Sequence, residues 1–267
     1  MFKFISFGSG SSGNCYYLFT ETDGLLIDAG VGVRSLKKWF ADYNLPMSSI
    51  HNILITHDHA DHVKCVGSLS NDLKLPVYAT RLVHSGIDNN NCVNYKINGA
   101  NKKYIEKGKT IAIGDFSIIP FGIPHDSTDN VGYMIEHGGA SFCLMTDVGH
   151  VTEEMKTFIS HANYLVIEAN HDEEMLMNGP YSEYLKGRVS GEIGHLSNRA
   201  CGMALAENAT ERLKCVWLCH LSAENNEPER ARKTVEMIIN SYGPIAWNNY
   251  MLEVLERRTP SRQFELI

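Results

Sequence analysis

The sequence predicts an α/β fold of four layers, αββα: two mixed β-sheets packed face to face, with helices outside. Two observations carry this. Short β-rich runs come in two batches, each followed by helical patterns. The 267 residues, 43% apolar and 21% charged, also suffice for one sizeable core and are too apolar for disorder. No repeat, linker or low-complexity stretch divides the chain, so 1–267 reads as a single domain with a polar tail, 257–267, expected to fray.

Residues 2–7, 14–20 and 24–28 read as three strands in a row, ending in Gly, Thr or Asp. Residues 33–43 form a helical pattern with Leu36, Trp39 and Phe40 on one face. Residues 51–56 are a buried strand that ends at a dense His/Asp cluster. Strands follow at 77–79, 110–113, 116–121, 131–136 and 141–146, then a helix at 152–160 with Thr152 as its cap. The second batch closes with a strand at 164–168, helical patterns near 172–177, 182–185 and 197–208, a buried strand at 213–219 and a helix at 227–242.

Charge and cysteine usage bound the function. With 24 basic and 31 acidic residues the formal net charge is −7, which argues against a protein that coats nucleic acid or anionic membrane by bulk charge. Residues 1–8 lack the apolar stretch of a signal peptide, and no run nears the roughly 18 apolar residues of a membrane span. Seven cysteines without a C-x-x-C pair read as free thiols in a reducing cytosol, so a cytoplasmic location is expected.

The strongest signal is Thr56-His57-Asp58-His59-Ala60-Asp61-His62. At a strand end, positions i and i+2 project to the same side, so His57 and His59 can reach one ion together. The chain then turns into a helix, where adjacent Asp61 and His62 can reach a second. Imidazole and carboxylate suit Zn²⁺, with Mn²⁺ or Fe as competitors. Four such groups in six residues are costly to pack unless something neutralises them. Three further candidates share one placement, the C-terminal end of an apolar strand beside a turn: His125, Asp147 and His220. Taken singly, each reads as a turn or cap residue.

This set resembles the metallo-β-lactamase fold superfamily. Its H-x-H-x-D-H motif matches His57, His59, Asp61 and His62, and its later His, Asp and His match His125, Asp147 and His220. The resemblance implies that His57, His59 and His125 hold one metal, that Asp61, His62 and His220 hold the other, and that Asp147 bridges the two. Asp28, after the third strand, matches an early Asp that would fix the histidine loop by hydrogen bonds. The opening Ser6–Cys15 segment, with Glu168-Ala169-Asn170-His171-Asp172, Gly194-His195-Leu196-Ser197-Asn198 and the stretch from His220 to Asn226, looks like the YycJ (WalJ)-type branch, close to ribonuclease Z and PhnP-type phosphodiesterases. That branch implies a 5′→3′ exonuclease acting on DNA in preference to RNA. The spacing from Asp147 to His220 leaves no room for the extra domain of β-CASP nucleases, and no Gly/Pro-rich arm of the ribonuclease Z type occurs.

The Gly8–Asn14 loop reads as a tight hairpin; the functional alternative brings Ser11, Ser12 or Asn14 to the metals or to a phosphate. Ser197, Asn198 and Arg199 open a helix beside His195, which reads as a capping turn or a phosphate pocket. Lys186, Arg188 and Arg199 flank His195 and are candidates for a phosphate track. The expected chemistry is attack on phosphorus by a metal-bridging hydroxide, oriented by Asp61, with His195 as the acid for the leaving oxygen. The alternatives are a small-molecule hydrolase for a cyclic phosphodiester, thioester or lactone, and a redox module; the latter fits poorly, because the intact His/Asp set favours hydrolysis.

Overall fold

The computed structural model describes residues 2–242 and 250–267. The first sheet is built from β1 (Phe2–Gly8), β2 (Cys15–Phe19), β3 (Gly24–Ile27), β4 (Asn52–Leu54), β5 (Val77–Ala79), β6 (Lys102–Tyr104) and the last strand, β14 (Phe264–Leu266). The second holds β7 (Ile111–Ile113), β8 (Phe116–Gly122), β9 (Val131–His137), β10 (Ala140–Met145), β11 (Tyr164–Glu168), β12 (Cys215–Cys219) and β13 (Met251–Val254). The strand orders are β14-β1-β2-β3-β4-β5-β6 and β13-β12-β11-β10-β9-β8-β7. Both sheets follow one plan. An antiparallel half, β14-β1-β2-β3 or β7-β8-β9-β10, passes into a parallel half, β3-β4-β5-β6 or β10-β11-β12-β13.

Both faces of each sheet are buried, so the strands read as continuous apolar runs. Phe4, Tyr16, Leu18, Leu25 and Ile27 point to the layer between the sheets, where they meet Phe142, Val166 and Trp217. Their neighbours Ile5, Tyr17 and Leu26 pack outward against Leu36 and Phe40 of α1 (Val33–Asp42), Leu69 of α3 (Val66–Leu73) and Val83 of α4 (Arg81–Asn89). On the far side, Val216 and Leu218 pack under α5 (Glu153–His161), α8 (Asn198–Asn208) and α9 (Pro228–Ser241). The period of two along a strand thus sorts side chains between two cores, which gives the four layers. Short helices α2 (Ala60–Val63), α6 (Glu173–Asn178) and α7 (Glu183–Val189) lie in the connections.

The sequence reading departs from the structure in two places. Strands β6 and β13 and helices α3 and α4 were not expected, because they are short or rich in Gly, Ser and Asn. The tail was expected to fray from its polar composition, yet Phe264 and Leu266 are buried and β14 pairs with β1, Phe4 facing Phe264 and Phe2 facing Leu266. Phe264 stacks edge-on against Trp217 with ring centroids 4.8 Å apart. Phe264-Glu265-Leu266 alternates buried, exposed, buried, and two anchors on one face outweigh the surrounding charge.

Phe264→Ala is therefore expected to cost about 3–5 kcal/mol of stability in urea unfolding, while Glu265→Ala on the exposed face stays within about 0.5 kcal/mol. Equal, small effects at both positions would mean that the tail is not docked.

Candidate metal centre

The chemistry-bearing residues gather at the C-terminal ends of strands from both sheets. Asp28 follows β3, the His57–His62 turn follows β4, His125 follows β8, Asp147 follows β10, Glu168 ends β11 and His220 follows β12. Five non-glycine residues have positive φ among the described residues, and three of them are Asp28 (61°), Asp147 (56°) and His220 (53°). The left-handed region costs a branched-off side chain about 1–3 kcal/mol, and here it swings each side chain from its strand end toward one point.

Asp28 locks the histidine turn. Its Oδ1 accepts the Thr56 backbone N–H at 2.9 Å, and its Oδ2 accepts the Thr56 hydroxyl at 2.9 Å. The same Oδ2 lies 2.7 Å from His62 Nδ1. This contact fixes the His62 tautomer, so that Nε2 faces inward, 3.2 Å from Asp147 Oδ2 and 3.5 Å from Asp61 Oδ2. The turn is pressed against the segment after β3 and the loop before β2: the Ala29 and Asn14 backbone N–H groups donate to the carbonyls of His62 and Asp61 at 2.7 Å each. At Gly30 a Cβ would stand 1.5 Å from the Asp61 carbonyl oxygen, so only glycine fits there.

The remaining rings are aimed by similar bonds. His125 Nδ1 lies 3.0 Å from the Gly194 carbonyl, leaving Nε2 to face His59 Nδ1 at 3.3 Å. His57 is buried, its Nδ1 lies 3.0 Å from the Thr56 hydroxyl, and its Nε2 is buried with no hydrogen-bond partner. Glu168 Oε1 stands 2.9 Å from His220 Nδ1 and 2.8 Å from His195 Nδ1, while Oε2 accepts the backbone N–H groups of Val148 and Leu196. His220 Nε2 is left 3.4 Å from Asp61 Oδ2.

Four overlapping groups of possible ligand atoms result: His57, His59 and His125; His57, His62 and Asp147; Asp61, His62 and His220; and Asp147, Glu168, His195 and His220. Within each, the atoms lie within 4.8 Å of one another. Asp147 sits between them, 3.2 Å from His62 Nε2, 3.7 Å from His125 Nε2 and 3.4 Å from His220 Nδ1. All seven cysteines are free, and none belongs to these groups.

The donor set fits divalent cations. Asp28, Asp147 and Glu168 are buried and Asp61 half-buried, and the ion pairs of all four, among the described residues, are with imidazoles and never with Lys or Arg. Burial opposes the charging of His62, but Asp147, Asp28 and Asp61 push it up to about 10, and Asp147 acts likewise on His220. Burial alone would raise Glu168, yet His195 and His220 hold it down at about 2. The centre thus draws cations. Burial lowers His57 well below its ordinary value and also lowers His125, which keeps their nitrogens free as neutral ligands.

The other candidates divide. Asn14 reaches the centre: its Nδ2 donates to Asp61 Oδ2 at 3.1 Å and lies 2.8 Å from His62 Nε2. Ser11 is exposed on the loop tip. Ser197 caps α8 through Ala200 N–H and donates to Glu173, in a cavity beside His195. Asn198 and Arg199 are corrected. Asn198 is buried, with its side chain bonded to Asn226, and Arg199 lines a separate cavity with Thr234 and Met237, because the turn after Ser197 rotates both away from His195. Arg188 stands at the rim, paired with Asp126 at 2.6 Å, and Lys186 is tied to Glu183. The sequence reading missed Glu168 as a site residue, although the segment it opens, Glu168–Asp172, is one of those that resemble the YycJ (WalJ)-type branch.

Residues 24–217 match the family described as the Beta-lactamase superfamily domain. The chain belongs to the metallo-β-lactamase superfamily. Within it, the chain is 37% identical over 234 residues to the exodeoxyribonuclease WalJ of Streptococcus pneumoniae serotype 2 (strain D39 / NCTC 7466), covering 88% of this chain and 87% of that one. It is 34% identical over 235 residues to the exodeoxyribonuclease YycJ of Bacillus anthracis, covering 88% of each. Among solved structures, the metallo-beta-lactamase fold protein YhfI from Bacillus subtilis superposes with a TM-score of 0.69 at 17% identity, over 98% of this chain and 99% of that one. The superfamily's αββα sandwich is the architecture found here, and its His/Asp cluster points to divalent metal binding. No helix of the described residues is long and apolar enough to cross a membrane.

Because Asp28 aims His62, Asp28→Ala is expected to weaken metal retention about 10–100-fold in a competitive chelator titration. Retention equal to that of the unaltered protein would refute the aiming role.

Proposed function

We propose that this chain is a metal-dependent exonuclease that cleaves phosphodiester bonds of DNA and works as a single domain with two divalent ions, Zn²⁺ foremost and Mn²⁺ or Fe as alternatives. The observation that carries this reading is the group of four carboxylates, Asp28, Asp61, Asp147 and Glu168, whose charged partners among the described residues are imidazoles and never Lys or Arg. The names of its relatives support DNA over RNA, and seven free cysteines support a cytoplasmic setting. His57, His59 and His125 would hold one ion, Asp61, His62 and His220 the other, and Asp147 would be shared.

When bound, two such ions supply Lewis acidity toward the phosphate oxygens and lower the pKa of a water toward neutrality. The chain's own residues do the rest. Asp61, held by Asn14, offers a carboxylate oxygen that orients the attacking water. Glu168 grips His195 by Nδ1 and leaves Nε2 to deliver a proton to the leaving oxygen. The same Glu168 oxygen positions His220, so one buried acid ties the proton donor to the ligand set.

Removing the proton donor should matter only where the leaving group needs a proton. His195→Ala is expected to lower the rate on DNA by 10²–10⁴-fold and to change hydrolysis of an aryl phosphodiester with a good leaving group far less. Equal losses on both substrates would assign His195 to structure or metal binding instead. The function itself is tested with 5′-labelled and 3′-labelled DNA, the matching RNA and the aryl ester, each with and without chelator. Metal-dependent release of mononucleotides from DNA is expected. Cleavage of the small ester with no action on any polynucleotide would overturn the reading in favour of a small-molecule hydrolase.

A further inference from the structure

Beside the centre lies a cavity of about 260 Å³ whose wall includes His195 together with His171, Glu173, Leu176, Met177 and Ser197. It is smaller than the roughly 300–1,000 Å³ that holds a whole drug-sized ligand, so it suits one ring system and not a length of chain.

Its chemistry is not that of a phosphate pocket. The Ser197 hydroxyl is spent: it accepts the Ala200 N–H at 3.1 Å and donates to Glu173 Oε1 at 3.0 Å. The Glu173 carboxylate would repel a second anion, and its Oε2 has no partner among the described residues. His171 is 2% exposed and lines the cavity; its Nδ1 is buried without a hydrogen-bond partner, and Nε2 makes no hydrogen bond among the described residues. Burial also keeps His171 neutral. Leu176 and the exposed Met177 supply an apolar wall with a polarisable thioether, suited to a flat ring. The cavity therefore combines a free carboxylate acceptor, a neutral imidazole and an apolar side.

Resting on the nuclease reading above, we propose that this cavity receives the base next to the scissile phosphate on the His195 side and selects adenine and cytosine, which carry an amine at N6 or N4. The Glu173 carboxylate accepts that amine. Thymine O4 and guanine O6 are carbonyl oxygens at the same position, and the carboxylate repels them. The His171 ring offers a hydrogen-bond partner to the base's remaining polar edge, and Met177 lies against its face. Glu173 and His171 are then specificity-determining residues, separate from the groups that act on phosphorus.

The test uses the full chain, loaded with Zn²⁺ or Mn²⁺, and short oligonucleotides in which the two bases flanking the scissile bond are varied one at a time. The readout is the ratio of kcat/KM for dC over dT at each position, which cancels any change common to all substrates. The unaltered protein is expected to show a ratio of roughly tenfold at one flank and near one at the other. Glu173→Gln, whose amide can donate to thymine, should bring that ratio close to one, as should Glu173→Ala. Metal content and thermal unfolding confirm that each variant is folded and loaded. A ratio near one in the unaltered protein, or a ratio the same in all three proteins, would overturn the pocket while DNA cleavage itself stood. If the unaltered protein cleaves the aryl ester but no oligonucleotide, the DNA reading falls and the pocket with it.

Discussion

Everything at this centre depends on negative charge held away from water without a basic side chain to meet it. Asp28, Asp147 and Glu168 are buried, Asp61 is half-buried, and their charged partners are imidazoles. Removing one carboxylate from water costs several kcal/mol even after relaxation, so four together are tolerated only if cations occupy the same space. Two divalent ions would carry the four positive charges required, and neutral imidazoles would then serve as ligands instead of counter-ions. The high His62 value has the same origin, since protons collect where the ions belong.

The fold is arranged to make that concentration possible. Each sheet passes from an antiparallel to a parallel half, and the parallel halves send the C-terminal ends of β3, β4, β10, β11 and β12 to one edge. At three of these ends the backbone enters the left-handed region at a non-glycine residue. Such strain persists only where the surroundings over-determine it. Here they do: the Asp28 N–H donates to the Leu54 carbonyl while its carboxylate holds Thr56 and His62, and the His220 N–H donates to the Ser9 hydroxyl. The apolar layers around Trp217 and Phe40 supply the stability that the site spends.

How much of this was legible in the sequence follows from where each signal is stored. His57, His59, Asp61 and His62 fall within six residues, so their chemistry reads directly from spacing. His125, Asp147 and His220 are far apart, and only their shared place at strand ends, joined to a family resemblance, singles them out. Glu168 was hidden because it closes its strand and looks like any terminal acid. Its role is created by the approach of Gly194–Leu196 and His220, two contacts that no local pattern records. Asn198 and Arg199 were misplaced for the opposite reason. They neighbour Ser197 in sequence, but successive positions on a helix point about 100° apart, so proximity to His195 did not pass to them. The tail was misjudged because composition was weighed above alternation, and two buried residues on one face of a three-residue strand were enough to dock it.

A net charge of −7 and a polyanionic substrate are compatible once charge is assigned by place. Four of the 31 acidic residues, Asp28, Asp61, Asp147 and Glu168, lie at the centre, where bound cations would cancel their charge, so the total says little about the field at the mouth of the centre. The basic residues flanking His195 are already engaged: Arg188 is paired with Asp126 and Lys186 with Glu183. A strand held mainly at the metals gains little affinity from phosphates farther along, and its binding depends only weakly on length and on counter-ion release. Recognition must then be concentrated within a nucleotide or two of the bond that breaks. That is the economy expected of an enzyme working from an end, where one phosphate is always presented and distant contacts would slow the next step along the strand.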